Sequence, residues 1–205
     1  MTTQQSNSVT LIGCMADDDD EPEFIFSHEI NGERFFSFTL EVERISDTKD
    51  YIPIIISERL IDKNYTYANI PLCIEGQFRS FNQKDEAKVK QVLYVFAQRI
   101  YSTDECNVNE IAINGYVCKE PTYRKTPLGR EITDLMLAVP RLCGKTDYIP
   151  CICWGRNAVY ASNFEVGLPV RVSGRIQSRE YTKNIDGVSE VRMAYEVSVS
   201  QINGE

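Results

Sequence analysis

The stretch that most constrains the fold of this chain is residues 148–181, where apolar and polar side chains alternate in two runs. Alternation with a period of two is typical of β-strands, because successive side chains point to opposite faces of a sheet. The apolar face consists of Ile149, Cys151 and Cys153 in the first run and of Val170, Val172, Gly174 and Ile176 in the second. Residues 155–167 lie between the runs and are long enough for a short helix that ends near Gly167.

The opposite faces of the two strands carry aromatic and cationic residues. They are Tyr148, Pro150, Ile152 and Trp154 in the first run, and Arg171, Ser173, Arg175, Gln177, Arg179 and Tyr181 in the second. Such a surface suits single-stranded nucleic acid, because bases stack on aromatic rings and guanidinium groups contact phosphates. Aromatic residues are also common on strands for packing alone, and arginines on an open face are often only solvated. The pattern alone leaves both interpretations open.

The same segment resembles the bacterial single-stranded DNA-binding proteins (SSB). The residues that match the family's strand–helix–strand pattern are Trp154-Gly155-Arg156, Ala158, Gly167, Val170, Gly174-Arg175-Ile176, Arg179 and Tyr181. Earlier segments that match its first strands are Ile111–Gly115, Pro121–Arg124, Gly129 and Leu137–Val139. The resemblance implies an all-β oligonucleotide/oligosaccharide-binding (OB) fold, a five-stranded Greek-key barrel with a short helix between its third and fourth strands. It also implies binding of single-stranded DNA in replication, recombination or repair.

The first half of the chain repeats the second, which is the signature of tandem structural units. The paired segments are 7–13 with 109–115, 49–53 with 146–150, 70–76 with 168–174, and 89–100 with 191–202. We therefore expect two tandem OB folds, with a disordered tail at 1–7, one domain at 8–103 and the other at 104–205. The linker near 102–105 is short, so the domains should pack together.

The two repeats differ on the predicted outer face. Arg171, Ser173, Arg175 and Arg179 correspond to Cys73, Glu75, Gln77 and Phe81, and Trp154-Gly155 corresponds to Ser57-Glu58. Tyr51 retains the position of Tyr148. Because a glutamate repels phosphates, we expect the first repeat to bind nucleic acid weakly and to serve in dimerisation or partner binding.

Net charge also separates the two halves. Residues 1–104 carry 10 Lys and Arg against 18 Asp and Glu, whereas residues 105–205 carry 12 against 12, so the whole net charge of −8 belongs to the first half. Phosphate binding depends on local patches rather than on total charge. The run Asp17–Glu21 is interpreted as a solvated loop, or else as a docking site for a basic partner or a DNA mimic. A calcium loop is disfavoured because alternating ligands and a glycine are missing.

Composition argues against an enzyme. His28 is the only histidine and no phosphate-cradling glycine motif is present, so we expect no catalytic group, cofactor or metal. The seven cysteines lack CxxC spacing and are predicted to be buried thiols. No apolar run has the length of a membrane span, and the first residues do not resemble a signal peptide, so we expect a cytoplasmic, nucleoid-associated protein.

Two loops of the second repeat add candidate DNA contacts. Residues 123–130 form a basic hairpin with Pro127 and Gly129 at its turn, which is either a DNA clamp or only a soluble turn. The segment 182–187 joins the last two strands, where OB folds often hold oligonucleotides. The predicted stacking residues are Trp154, Tyr148 and Tyr181. The predicted phosphate contacts are Arg175, Arg179, Arg171, Arg124, Lys125, Arg130, Arg141, Lys145 and Lys183.

Two rival functions stay open. One is a primosomal replication-restart protein similar to PriB, which works through protein contacts as well as DNA, and the other is a protein-binding OB scaffold. The family resemblance implies four OB folds acting together, so two repeats per chain predict a homodimer. Replication or restart proteins are the further partners we expect.

Overall fold

The computed structural model of the chain describes residues 6–16, 23–85, 88–185 and 188–204, and only the backbone at 84–85, 88–89, 183–185 and 188. The first half contains β1 (Asn7–Met15), β2 (Ile25–Ile30), β3 (Glu33–Glu43), β4 (Lys49–Ser57), a 3-10 turn (Glu58–Leu60), β5 (Leu72–Asp85) and β6 (Lys88–Ser102). The second contains β7 (Val108–Val117), β8 (Thr122–Lys125), β9 (Glu131–Pro140), β10 (Thr146–Trp154), α1 (Arg156–Ala161), β11 (Pro169–Ile185) and β12 (Val188–Gly204).

Each half closes into a five-stranded barrel. In the first barrel the pairing runs β1–β5–β6–β4–β3 and returns to β1, and in the second it runs β7–β11–β12–β10–β9 and returns to β7. The β4–β6 and β10–β12 pairs are parallel, whereas the other pairs are antiparallel. β2 and β8 add a hairpin strand to β3 and β9. The predicted all-β architecture of two tandem OB folds is confirmed.

The two barrels share one continuous sheet. β1 pairs antiparallel with β7, with Asn7 opposite Ile113 and Ile12 opposite Val108, so twelve strands are hydrogen-bonded in series. Asn7 was expected in a disordered tail, but it is buried and begins β1. Its side chain explains the difference, because the Asn7 amide bonds both the N–H and the C=O of Phe78.

The apolar alternation fills both barrels as predicted. Ile149, Cys151 and Cys153 are buried on β10, and Val170, Val172 and Ile176 are buried on β11. Two residues assigned to the outer face are also buried, namely Ile152 and Gln177. Gln177 is covered because its amide donates to Glu196 Oε1 at 2.6 Å on the neighbouring strand.

The connection between the third and fourth barrel strands differs from the prediction. α1 ends at Ala161, six residues before Gly167, because Phe164 turns into the core and the Gly167 N–H donates to Val117 O. Gly167 has a φ of +95°, which favours glycine. In the first barrel the corresponding segment forms only the 3-10 turn, capped by the Ser57 hydroxyl.

Both barrels contain the same β-bulge. Pairing slips by one residue between Glu75 and Gly76 in the first barrel and between Ser173 and Gly174 in the second. A Cβ at Gly76 would overlap Phe96 O, and a Cβ at Gly174 would overlap Ser198 O. The bulge therefore requires glycine at both positions, which explains why the Gly76 and Gly174 segments are alike in sequence.

Polar side chains cap the strand edges where the barrels meet. β11 extends beyond its pairing with β7, which leaves backbone groups at its edge without a neighbouring strand. The Asn109 amide hydrogen-bonds the N–H and C=O of Ile176, and the Asp50 carboxylate accepts from the Ser178 N–H. β5 is capped in the same way, by Asn7 at Phe78 and by Asp147 at Ser80. Asp50 and Asp147 come from the opposite barrel in each case, so the two caps hold the barrels together through equivalent contacts.

Candidate nucleic-acid interface

The candidate surface is the outer face of β9, β10, β12 and β11 in the second barrel. Strand register brings its residues side by side, because partners on neighbouring strands share a face. Ile152 lies opposite Ser198, which in turn lies opposite Arg175. Ile132 lies between Trp154 on β10 and Arg124 on β8. The predicted basic hairpin is therefore placed two strands from Trp154, on the same sheet.

Three predicted stacking residues are exposed on this surface. Tyr148 is 47% exposed, and Trp154 and Tyr181 are each 37% exposed. Tyr148 and Trp154 lie six residues apart on β10, which places them about 20 Å apart along the strand. Tyr181 stands on the long β11–β12 arm, opposite Arg192. The rings are separate platforms rather than one packed cluster.

Most of the predicted cations on the surface already have a carboxylate partner. The Arg124 guanidinium forks onto Asp134, with Nε 2.7 Å from Oδ2, and this hydrogen bond raises the pKa of Arg124. Arg179 Nε lies 3.8 Å from Glu196 Oε1, and Lys125 Nζ lies 3.8 Å from Glu131 Oε1. Exposed pairs of this kind contribute little to stability, so a phosphate can take over the cation.

Two predicted phosphate contacts lie instead at the junction of the barrels. Arg141 donates through Nε to Asp147 Oδ2 at 2.7 Å and through its terminal amine to Ser80 O at 2.9 Å. Arg175 lies 3.3 Å from Asp50 Oδ2, and burial together with the nearby Arg44 charge lowers its pKa. Arg141 therefore holds the barrel junction as well as contributing charge.

The other predicted contacts are scattered around the second barrel. Arg130 lies in the β8–β9 turn and Lys145 in the β9–β10 turn, and both are exposed. Arg171 is exposed on β11 beside the β1–β7 junction, with Ser173 and Asn203 nearby. The Lys183 side chain and the whole Asp17–Glu21 run lie outside the described residues.

The alternation in the sequence did not single out two further arginines. Arg192 lies opposite Tyr181 and pairs with Glu190, and its buried Nε has no hydrogen-bond partner within the described ranges. Arg79 lies on β5 between the first and second barrels. Arg79 follows the same alternation as Gln77 and Phe81, which is the signal that could have found it.

The first barrel presents a different outer face. Glu75 pairs with Arg99 and accepts a hydrogen bond from Tyr101 Oη at 2.9 Å, so its carboxylate does occupy the sheet surface. Cys73, expected on the same face, is buried, and Ser57 is buried as a cap. Phe81 is exposed and packs edge-on against Tyr94 at 5.6 Å.

The cysteines differ in burial, and two of them, Cys14 and Cys118, are half-buried. Cys73, Cys151 and Cys153 are buried, and burial raises the pKa of Cys153 to about 12. Cys106 and Cys143 are exposed, so the expectation of buried thiols is wrong for these two.

Within the described ranges, no group of three or more His, Cys, Asp or Glu is arranged to hold a metal. No helix described here has the length and apolar character to cross a membrane.

Comparisons with known proteins agree with this architecture. The wild-type single-stranded DNA binding protein from Thermus aquaticus superposes with a TM-score of 0.77 at 18% identity, over 97% of this chain and 92% of that one. This likeness shows a shared fold that extends over both barrels. Residues 108–204 match the sequence profile of the Single-strand binding protein family.

Two relatives match over lengths close to that of one barrel. Single-stranded DNA-binding protein 2 of Listeria innocua is 35% identical over 81 residues, which are 36% of this chain and 51% of that protein. Single-stranded DNA-binding protein B of Bacillus subtilis is 33% identical over 88 residues, which are 40% of this chain and 77% of that protein. This chain spans about half the length of the Listeria relative and more than two thirds of the Bacillus one. The two-barrel chain belongs to the single-strand binding protein family.

Proposed function

We propose that the protein binds single-stranded DNA without sequence preference, mainly on the outer face of the second barrel. The observation that carries this proposal is the exposure of Tyr148, Trp154 and Tyr181 on that one face. Each ring offers a base about 1–3 kcal/mol of stacking energy, and every base has a face that can stack. The names of the family members support DNA as the ligand.

Arginines around these rings supply the phosphate contacts of the proposal. Arg124 lies two strands from Trp154, and Arg179 follows Arg175 and Gln177 on the same face of β11. Arg171, Lys125, Arg130 and Lys145 extend the positive charge around the barrel, and Lys183 is proposed from its position in the sequence. Because each phosphate contact releases counterions, affinity should fall steeply as salt rises.

The first barrel is proposed to act in assembly. Its outer face carries Glu75 where the second barrel carries Ser173, and a carboxylate there disfavours a phosphate chain. We divide the chain into domains at 8–103 and 104–205 and propose a homodimer that brings four OB folds together. The homodimer would have a non-enzymatic role in the cytoplasm, where it would coat DNA during replication, recombination or repair.

The test uses Trp154, the only tryptophan of the chain. Oligo-dT is titrated into the protein at low and high salt while the emission of Trp154 is followed. We expect strong quenching that salt reverses, because a base stacked on the indole changes its emission and phosphate contacts are salt-sensitive. Absence of quenching together with absence of binding in a filter assay would contradict the proposal.

The rival function is tested on a different segment. Replacing Asp17–Glu21 by Ser and Gly should leave DNA affinity unchanged if the protein is a simple DNA coat. Loss of a replication or restart partner in this variant, with DNA affinity intact, would favour a primosomal or scaffold role. Light scattering at micromolar concentration tests the homodimer, which a monomeric mass would contradict.

A further inference from the structure

A cleft of about 520 Å³ lies where β5 and β6 of the first barrel meet the β9–β10 turn of the second. Its lining includes Ser6, Asn7, Gln77, Arg79, Arg141 and Cys143. Two guanidinium groups, one from each barrel, therefore enter the same cleft. The only carboxylate among its described lining residues is Asp147.

Arg141 is already neutralised in this cleft. It forks onto Asp147, whose carboxylate is 2% exposed and also accepts the Ser80 N–H at 2.6 Å. This hydrogen bond to Asp147 raises the pKa of Arg141. The positive charge of Arg141 is thus balanced by one carboxylate with well-formed bonds.

Arg79 has no such balance. Its Nε and terminal amine donate to the neutral Gln77 Oε1, at 3.2 and 2.6 Å, and its guanidinium lies 4.3 Å over the Phe96 ring. Within the described ranges, no carboxylate comes within ion-pair distance of it. Burial lowers the pKa of Arg79 and the neighbouring Arg141 charge lowers it further, whereas Tyr94, Asp147 and Cys143 act in the opposite direction. A half-buried cation without a counter-charge favours an anion.

The pseudo-equivalent cleft on the other side of the junction differs. There Arg44 and Arg175 share the fully buried Asp50, and Glu43 contributes a second carboxylate to the lining. The position that corresponds to Arg79 is Gln177, which bonds Glu196. The two arginines of that cleft face two carboxylates, so the cleft carries no excess positive charge.

We propose that the Arg79 cleft holds a phosphate of the bound single strand, so that Arg79 of the first barrel adds one contact to a strand bound mainly by the second. This inference rests on the proposed function and adds a contact to it. The cleft borders Tyr148, because Asp147 of its lining precedes Tyr148 in β10. The Ser80 hydroxyl also accepts from the Tyr148 N–H at 2.8 Å while the Ser80 carbonyl accepts from Arg141. A phosphate next to a base stacked on Tyr148 would enter the cleft with Arg79 as its donor.

The variants Arg79→Gln and Arg79→Lys test the contact, with Arg59→Gln as the charge-matched control. Arg59 is a well-exposed arginine of the same barrel, in the 3-10 turn, so its loss changes net charge equally. Arg79→Gln should weaken oligo-dT binding roughly tenfold at low salt. It should also reduce the slope of log affinity against log salt by about 0.7, the value for one phosphate contact on a single strand.

An abasic sugar–phosphate oligomer separates phosphate binding from stacking. Arg79→Gln should weaken binding of the abasic oligomer and of oligo-dT by similar factors. Trp154→Ala should weaken binding of oligo-dT only. Arg79→Lys should keep most of the salt slope, and thermal melting should show that all variants are folded.

The outcomes distinguish the two proposals. If wild-type protein does not bind oligo-dT, the proposed function fails. If it binds and Arg79→Gln behaves like Arg59→Gln, only the Arg79 cleft is excluded. A loss of oligo-dT affinity in Arg79→Gln without a change in salt slope or in abasic binding would likewise overturn the phosphate contact.

Discussion

The two barrels share a set of equivalent hydrogen bonds where they touch each other, but they carry different residues where they face solvent. Asp50 and Asp147 occupy the same position, each capping a strand edge of the opposite barrel and each bound by an arginine of its own turn. Ser80 and Ser178 likewise accept the N–H of Tyr148 and Tyr51. These hydrogen bonds of the junction thus occur in both halves.

The outer faces do not follow this symmetry. Tyr148 lies opposite Ala138 on the neighbouring strand, whereas Tyr51 lies opposite Glu41. Burial raises the pKa of Tyr51, and the Glu41 charge raises it further. Trp154 is matched by the buried Ser57. The repeats therefore share a barrel core and the Asp and Ser contacts of the junction, whereas their solvent-exposed surfaces differ.

The largest expected effect tests the shared junction. Asp147→Ala removes the acceptor of the Ser80 N–H and leaves Arg141 half-buried without its partner, so the free energy of unfolding should fall by about 3–5 kcal/mol. Asp50→Ala should lower the free energy of unfolding by a similar amount, measured by urea denaturation followed by circular dichroism. Lys63→Ala, which breaks a surface ion pair, is the control and should leave the urea midpoint nearly unchanged. A large loss of stability for only one of the two aspartates would show that the two caps of the junction are not equivalent.

The next effect tests the difference between the outer faces. Tyr148→Ala should weaken oligo-dT binding by about 1–3 kcal/mol, because one stacking surface is lost. Tyr51→Ala removes the equivalent ring beside Glu41 and should cost less than about 1 kcal/mol if the second barrel carries most of the binding. Fluorescence anisotropy of labelled oligo-dT measures both. Equal losses would show that the first barrel binds as strongly as the second.

A smaller effect of opposite sign concerns the carboxylate beside Arg179. Glu196→Gln removes a negative charge from the second barrel's face while keeping an acceptor for Gln177, so oligo-dT affinity should rise about two- to fivefold. Glu75→Gln removes a charge from the first barrel and is the matched control. A gain for Glu75→Gln as large as that for Glu196→Gln would place DNA on both barrels.

The smallest effect is a pH-dependent reactivity at the Arg79 cleft. The Lys145 backbone N–H and the Arg141 charge lower the pKa of Cys143, so this thiol should react with iodoacetamide at lower pH than an ordinary thiol. Cys153, with a pKa of about 12, should stay protonated and unreactive at pH 8. Mass spectrometry of digested protein locates the modified thiol.

Oligo-dT should slow the alkylation of Cys143 but not of a Ser46→Cys probe in the β3–β4 turn, which lines the other cleft. Equal protection of both thiols would argue against a difference between the clefts.

Much of the fold could be predicted from the sequence because alternation and repetition are local signals. The faces of β10 and β11 follow from their period of two, and the tandem architecture follows from the aligned segments. The exceptions have tertiary causes. Ile152 and Gln177 keep the predicted register but are covered by neighbouring strands, and α1 stops early because Phe164 enters the core.

The candidate site was less accessible to sequence reasoning. Trp154, Tyr148 and Tyr181 are exposed as expected, and whether they bind DNA stays a prediction. The sequence could not show which arginines are paired, because Asp134, Glu196 and Asp50 reach Arg124, Arg179 and Arg175 only after strands or barrels pack. Arg79 follows the alternation of β5, so its outward face could have been predicted, but its place in a cleft beside Arg141 depends on how the barrels pack.

The sequence by itself determined the alternation of β10 and β11 and the tandem repeat, because these depend on patterns within short stretches of the chain. Only the tertiary structure decided how the barrels join and how charge is distributed between them. β1 pairs with β7, Asp50 reaches β11 and Asp147 reaches β5 across large separations in the chain. Electrostatic balance depends on which charges lie within a few ångströms of each other, and that distance is set by packing rather than by order along the chain.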